Sequence, residues 1–206
     1  MTDKAKIIGN AKIGKGAILE DGVIIGFGDG KGVTVIGKNA HLRSNTIICS
    51  GVKIGDNFES GPGVFIREDN NIGNDVCIWA YAVLNPGNKI GNNTRIHAGC
   101  FLEKVTLGEF VFVAPHVTFT DDPHPTNPPK KTCMGGATVE DGAIIGGGTT
   151  LLPHVIVGTK AVIGAGSVVT RDVKARKLAF GNPARVLKDV TDIKCIRNGR
   201  MHFPYK

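Results

Sequence analysis

The stretch from Ile54 to Gly91, IGDNFESGPGVFIREDNNIGNDVCIWAYAVLNPGNKIG, decides how this chain folds. It begins and ends on Ile-Gly, and the pair recurs inside it at Ile72-Gly73. With Ile36-Gly37 upstream, the pair stands at four positions separated by 18 residues each time. Within each interval an aliphatic side chain returns every six residues: Ile36, Leu42, Ile48, Ile54, then Ile66, Ile72, Ile78, Leu84, Ile90, Ile96 and Leu102. Only Ser60 breaks that run. After a one-residue slip the series resumes at Leu107, Val113 and Phe119, and a last block runs Val139, Ile145, Leu151, Val157, Ile163, Val169. Four residues beyond most of these stands a small or β-branched side chain, such as Ala40, Val52, Val76, Thr94 or Ala161.

A period of six within 18 matches neither the helical repeat of 3.6 nor the strand repeat of 2. It describes a short strand and a corner, repeated three times per coil, with coils stacked at the strand spacing of about 4.8 Å. Aliphatic residues at the same place in every coil form a continuous inward column. Glycine, Asn and Asp fall where the backbone must turn, because they tolerate a positive φ. The predicted fold is all-β: a parallel β-helix, a triangular solenoid whose coils bury their apolar face only by stacking. A Gly-rich antiparallel sandwich would need two-residue hairpins and period-2 alternation, and neither is present.

Composition agrees. The chain has 29 glycines in 206 residues and only 6% aromatics, about twice the usual glycine share. No G-X-Y triplet runs through it, which excludes collagen, and 41% hydrophobic residues exclude a disordered chain. A net charge of +7 suits polyanions, phosphate-bearing cofactors as readily as nucleic acids. No helix-turn-helix pattern, aromatic-plus-basic platform or zinc-finger spacing points to nucleic acid, and none is expected as a partner. The cysteines (Cys49, Cys77, Cys100, Cys133 and Cys195) are odd in number and scattered, so neither a disulfide framework nor a structural zinc site is indicated. The N-terminus MTDKAKIIGN lacks the apolar core of a signal peptide. The uncharged stretch 143–159 is too short and too glycine-rich to cross a membrane. A reducing cytoplasm and no membrane partner are expected.

From about Lys6 to Val173 the repeat resembles the hexapeptide-repeat family, whose consensus is aliphatic-Gly-x-x-small-x. The ending, VIGAGSVVTRDV at 162–173 and FGNPARVLK at 180–188, resembles the C-terminal signature of that family's acyltransferases. The resemblance implies a left-handed coil, an exception to the right-handed crossover rule. It also implies a homotrimer with active sites between subunits, acetyl-CoA as co-substrate and no metal. Residues 1–182 are then the β-helix acyltransferase domain, with a protruding loop at 120–138. Beyond Asn182-Pro183, residues Val186, Leu187, Val190, Ile193 and Ile196 recur at helical spacing. They predict a short amphipathic α-helix in 183–206, covering the open end of the solenoid.

Two stretches interrupt the repeat: GFGDGKGVTV at 26–35 and the long, Pro-rich TDDPHPTNPPKKTCMGG at 120–136. Long loops in compact domains are usually functional. The segment FTDDPHP resembles the FTND-type loop of nucleotide-sugar N-acetyltransferases. It also resembles the loop of sugar O-acetyltransferases in which a His before Pro serves as base. On that resemblance His124 matches the loop histidine, and Asp121 and Asp122 match the polar positions before it. Both are Asp here, where the N-acetyltransferases usually carry Asn-Asp.

The period also assigns faces. Ile54, Ile72, Ile90 and Leu107 belong to a first face, Ile78, Ile96 and Val113 to a second, and Leu84, Leu102 and Phe119 to a third. If the long loop replaces no strand, Val139 restarts the first face and Ile145 and Ile163 continue the second. One position beyond the second-face core residues come Gly61, Trp79, His97, Ala114, Gly146 and Gly164. Three positions beyond come Gly63, Tyr81, Gly99, His116, Gly148 and Gly166. Trp79, Tyr81, His97 and His116 therefore share a flank with a glycine stripe. Such a stripe lets a narrow chain such as pantetheine approach the backbone, whose N–H groups suit a developing oxyanion.

The candidate catalytic residues are His97, His124 and Asp122, because a histidine near neutral pKa can take the acceptor's proton. An amine needs less base help, since the departing thiolate can accept its proton, so neither histidine is singled out. Trp79, Tyr81, Asp121 and His116 are candidate substrate contacts. Gly146, Gly148, Lys160, Gly164, Ala165, Gly166 and Arg171 are candidates for coenzyme A, the basic pair for its phosphates. Asp121 and Asp122 favour a cationic acceptor. The expected reaction is acetyl transfer from acetyl-CoA to the amine of an amino sugar, nucleotide-linked, with a sugar or serine hydroxyl as the alternative acceptor. Two further alternatives lie in other classes. One is a carbonic-anhydrase-like metalloenzyme using His97, His116 and His124; the other is a non-catalytic trimeric binding module.

Overall fold

The computed structural model describes residues 4–28, 32–126, 131–194 and 197–200. The chain winds into a left-handed parallel β-solenoid of about 9 turns. Nearly every strand is two or three residues long, and its neighbours in the sheet are the strands three before and three after it in sequence. The first face has eight strands, the second ten and the third nine.

Registers follow the six-residue period. Ile72 pairs with Ile54 and Ile90 on the first face, Ile78 with Ile96 on the second, and Leu84 with Leu102 on the third. The long loop replaces no strand. Leu107 pairs with Val139, Val113 with Ile145 and Phe119 with Leu151, so all three faces continue in register across it. The missing residue between Leu102 and Leu107 comes out of one corner, which tightens onto Lys104 at φ 47°.

The predicted inward columns are the core: Ile54, Ile72, Ile90, Leu107, Val139 and Val157 on one face, with their counterparts on the others, are all buried. Each such side chain contributes on the order of 1.5–3 kcal/mol by leaving water. Ser60, the exception in the column, is also buried. Its hydroxyl bonds Thr46 Oγ1 at 2.8 Å and accepts the Arg43 N–H at 3.0 Å, so it needs no water. At the corner from first to second face, side chains bond up the stack. Asn39 donates to Asn57, and Asn57 to Asp75, each at positive φ.

The C-terminal end differs from expectation. In place of an α-helix, Lys177–Phe180 joins the second face parallel to Val162–Ile163, and Arg185–Asp189 returns antiparallel to it. One 3-10 turn, Val190–Asp192, follows. The sheet edge left by Val162–Ile163 presents unpaired backbone groups, and a hairpin satisfies them directly where a helix would not. Val186 and Leu187, read as a buried helical stripe, are instead exposed, and only Val190 of the described members is buried. Ile196 lies outside the described residues. The expected boundary at 182/183 falls in the turn of this hairpin.

Candidate functional site

Three features converge on the corner that joins the second face to the third. The first is an aromatic run on its rim. Trp79 and His97 occupy the same place in successive coils, their ring centroids 5.9 Å apart, and Phe112 lies 4.8 Å on the far side of His97. Partial burial between these rings, and secondarily the nearby Arg95 charge, hold the His97 pKa below its ordinary value. His97 is therefore neutral at pH 7 and able to accept a proton.

The second feature is a ladder at the tip of the corner. Tyr81 and His116 both sit at φ 58° and point back along the stack. A Cβ on Gly63 would strike the Tyr81 ring, and one on Gly99 would strike the His116 ring. These two glycines are thus fixed by the aromatic residue of the following coil. Tyr81 is 71% exposed and forms the outermost part of the rim.

The third feature is bare backbone. Beyond His116 the ladder continues with Gly148 and Gly166 at φ 65° and 69°, and a Cβ on either would meet nothing within 4 Å. The other two stripe glycines have a different reason. A Cβ on Gly146 would hit the backbone of Ala165, and the ring of Phe180 from the terminal hairpin lies over Gly164. The expected open stripe is therefore a trough floored by Gly148 and Gly166, with Ala165 beside it and Phe180 at one end. Lys160 stands at the corner between first and second faces, bonding Asp141 O through its N–H. Arg171 follows the last strand of the third face. Neither shares the trough's corner.

The long loop springs from the opposite edge of the third face, between the strands Thr118–Phe119 and Thr138–Val139. Asp122 accepts the His124 N–H at 2.8 Å, a tight Asx turn that leaves the His124 side chain exposed. Asp121 is only 7% exposed and its Oδ2 lies 3.2 Å from Lys104 Nζ. It helps line a cavity of about 230 Å³ with Asn85, Pro86, Glu103, Lys104 and Met134. Burial raises the Glu103 carboxyl above its usual pKa; the bond from Asn85 opposes this and the Asp121 charge adds to it.

Within one chain, then, His97, Trp79, Tyr81 and His116 share one corner, while His124, Asp121 and Asp122 belong to another. No described hydrogen bond, ion pair or cavity joins His97 to His124. Among the described residues no group of three His, Cys, Asp or Glu side chains is placed to hold a metal ion. No described helix is long and apolar enough to cross a membrane. Sequence reasoning missed Asn85 and Glu103, although both sit one position beyond third-face core residues, where the period could have placed them. Phe180 carried no such signal, because the repeat has ended before it.

A left-handed solenoid built on a six-residue period defines a hexapeptide-repeat protein. The model for "Bacterial transferase hexapeptide (six repeats)" matches residues 71–104 and 136–171. A bifunctional protein GlmU from Carboxydothermus hydrogenoformans is 33% identical over 173 residues, covering 77% of this chain and 37% of that protein. The putative acetyltransferase YJL218W of Saccharomyces cerevisiae is 37% identical over 95 residues, 43% of this chain and 47% of that one. The crystal structure of LpxA, a UDP-N-acetylglucosamine acyltransferase from Bacteroides fragilis, shares the fold at TM-score 0.70 and 20% identity, covering 92% of this chain and 74% of that one. The chain belongs to the hexapeptide-repeat acyltransferase family. It spans 36% to 47% of the length of curated relatives such as these.

Proposed function

We propose that the protein transfers an acetyl group from acetyl-CoA to the amine of an amino sugar, nucleotide-linked, and that it does so as a homotrimer. The observation that carries the reading is His97, neutral between Trp79 and Phe112 at a corner that continues into the Gly148–Gly166 trough. The pantetheine arm lies along bare backbone there. The acceptor nitrogen attacks the thioester carbonyl, forming the C–N bond; the tetrahedral oxyanion collapses and expels the thiolate of coenzyme A. The amine proton passes to His97 or to that thiolate. Holding both substrates at one corner supplies much of the remaining rate. On the loop, Asp122 favours an amine acceptor over a hydroxyl, Asp121 being already paired with Lys104.

Assembly rests on the outer surface of the third face. Ile24, Ile47, Phe65, Val83 and Phe101 form a half-buried apolar stripe along it, whereas the first face presents exposed Lys12, Lys53, Asn71 and Lys89. An apolar stripe of this kind marks an association surface. It separates the His97 corner from the loop, so packing these faces about a threefold axis carries each loop to a neighbour's His97 corner. His124 and Asp122 then act in a site whose floor belongs to another subunit. A cytoplasmic setting belongs to the same proposal.

The test is release of free thiol from acetyl-CoA on addition of UDP- or dTDP-linked amino sugars. No thiol with any of them overturns the reading. In an active enzyme, His97→Ala and His124→Ala are compared by kcat, the base costing about 10²–10⁴-fold when removed. Losses below about tenfold in both assign the proton to the thiolate.

A further inference from the structure

We propose that His154 and Lys104 are positioning residues for the long loop, clamping its two legs to the solenoid so that Asp122 and His124 are presented in one orientation. The inference rests on the acetyltransferase reading for its functional half and on geometry for the rest.

The outgoing leg is held at Asp121. Its carboxylate is buried against Lys104 Nζ, and Lys104 occupies a corner that is a residue short, at φ 47°. Just before Asp121, Thr120 donates to Leu151 O through both its N–H and its hydroxyl, at 3.2 Å each. The returning leg is held at His154. Its Nε2 lies 2.7 Å from Cys133 O, and a carbonyl oxygen only accepts, so Nε2 carries the proton. The His154 N–H donates to Gly135 O at 3.2 Å. A Cβ on Gly135 would run into the His154 ring, so this residue must be glycine for the ring to lie flat against the leg. The legs are also tied to each other, Gly135 N–H donating to Asp121 O at 2.8 Å. His154 itself sits at φ 62°, the corner conformation that Tyr81 and His116 also adopt, in the coil that follows the loop. What sets it apart from those corner residues is that its side chain and its N–H both bond the returning leg.

The chemistry of the clamp assigns a role to each group. Lys104 is a charge anchor on a buried carboxylate. His154 is a hydrogen-bond donor to a backbone carbonyl. Neither needs to touch substrate, and both act through the loop.

The experiment uses the full chain. His154→Ala and Lys104→Met are compared with the conservative His154→Gln and Lys104→Arg, which keep a donor and a cation respectively. Amide hydrogen exchange is read over 121–126 and 131–136, alongside kcat and KM for acetyl-CoA. Expected are faster exchange confined to those segments in the Ala and Met variants and a kcat loss of about 10–100-fold from misplacement of the reacting groups. The KM for acetyl-CoA stays near wild type, since the trough is untouched, and Gln and Arg restore most of both readouts. Unchanged exchange overturns the clamp, and faster exchange with unchanged kcat overturns positioning. If Ala or Met disrupts the whole solenoid, exchange rises everywhere; Gln and Arg then decide, and restoration of neither readout also overturns the clamp. A wild-type protein without transfer activity overturns the reaction itself and with it the positioning, an outcome that the exchange data on the loop legs keep distinct from failure of the clamp.

Discussion

His97 illustrates how a single residue acquires chemistry from its neighbours. Burial between two aromatic rings, with Arg95 close by, makes the protonated imidazole less favourable than in water. The unfolded chain therefore takes up this proton at a higher pH than the folded one. Folding stability attributable to His97 falls as pH drops below 6.5 toward the depressed folded value. If His97 is the base, the acid limb of kcat/KM has its midpoint below 6.5 and disappears in His97→Asn, which pH–rate profiles will show. Thiols give a second check at this scale. Desolvation pushes Cys49 and Cys100 up to about 11 and also raises Cys77, whereas Cys133 is exposed on the loop. Alkylation of the native protein at pH 7.5 should label Cys133 and spare Cys49, Cys77 and Cys100, as peptide mapping will report.

Among elements, glycines at equivalent-looking corners differ in what they can bear. A Cβ on Gly91 would strike the backbone around Gly108, which cannot yield, while one on Gly148 meets open space and suffers only the left-handed φ. Gly91→Ala should lower the melting temperature sharply or prevent folding. Gly148→Ala should cost about 1–2 kcal/mol of stability and raise the KM for acetyl-CoA by narrowing the trough. Calorimetry and steady-state kinetics separate the two. The strands themselves were legible in sequence because burial repeats every six residues: Ile78, Ile96 and Val113 landed on one face, and Val139 and Ile145 resumed their faces after the loop. The corner carrying Trp79 and His97 was legible for the same reason. The terminal hairpin was not. Five apolar residues at helical spacing outweighed the unpaired sheet edge beside them, and that edge exists only once the solenoid is built. The contacts of Lys104 and His154 were hidden likewise, because a loop's landing points have no period.

At the scale of the whole molecule, the two halves of the proposed site lie on opposite edges of one apolar face. Light scattering should give a mass near three times 21.7 kDa. Val83→Glu, which puts a charge in the middle of the stripe, should yield monomers that remain folded but transfer no acetyl group. Where both histidines prove essential, a mixed-subunit experiment is sharper. His97→Ala and His124→Ala homotrimers would each be inactive. Co-refolding them should restore activity, because some interfaces then pair an intact corner with an intact loop. Failure to complement would put both histidines to work within one chain.

The registers that run unbroken from Phe119 to Leu151, and from Val113 to Ile145, mean that the long loop is a cassette plugged into a corner. Between its clamped legs, its length leaves the strand registers on either side unchanged. On the proposed reading, such a scaffold can exchange the part that reads the acceptor while the part that binds the donor stays as it was. Acceptor preference is then free to drift in evolution, or be recombined by design, without refolding the machine that carries it.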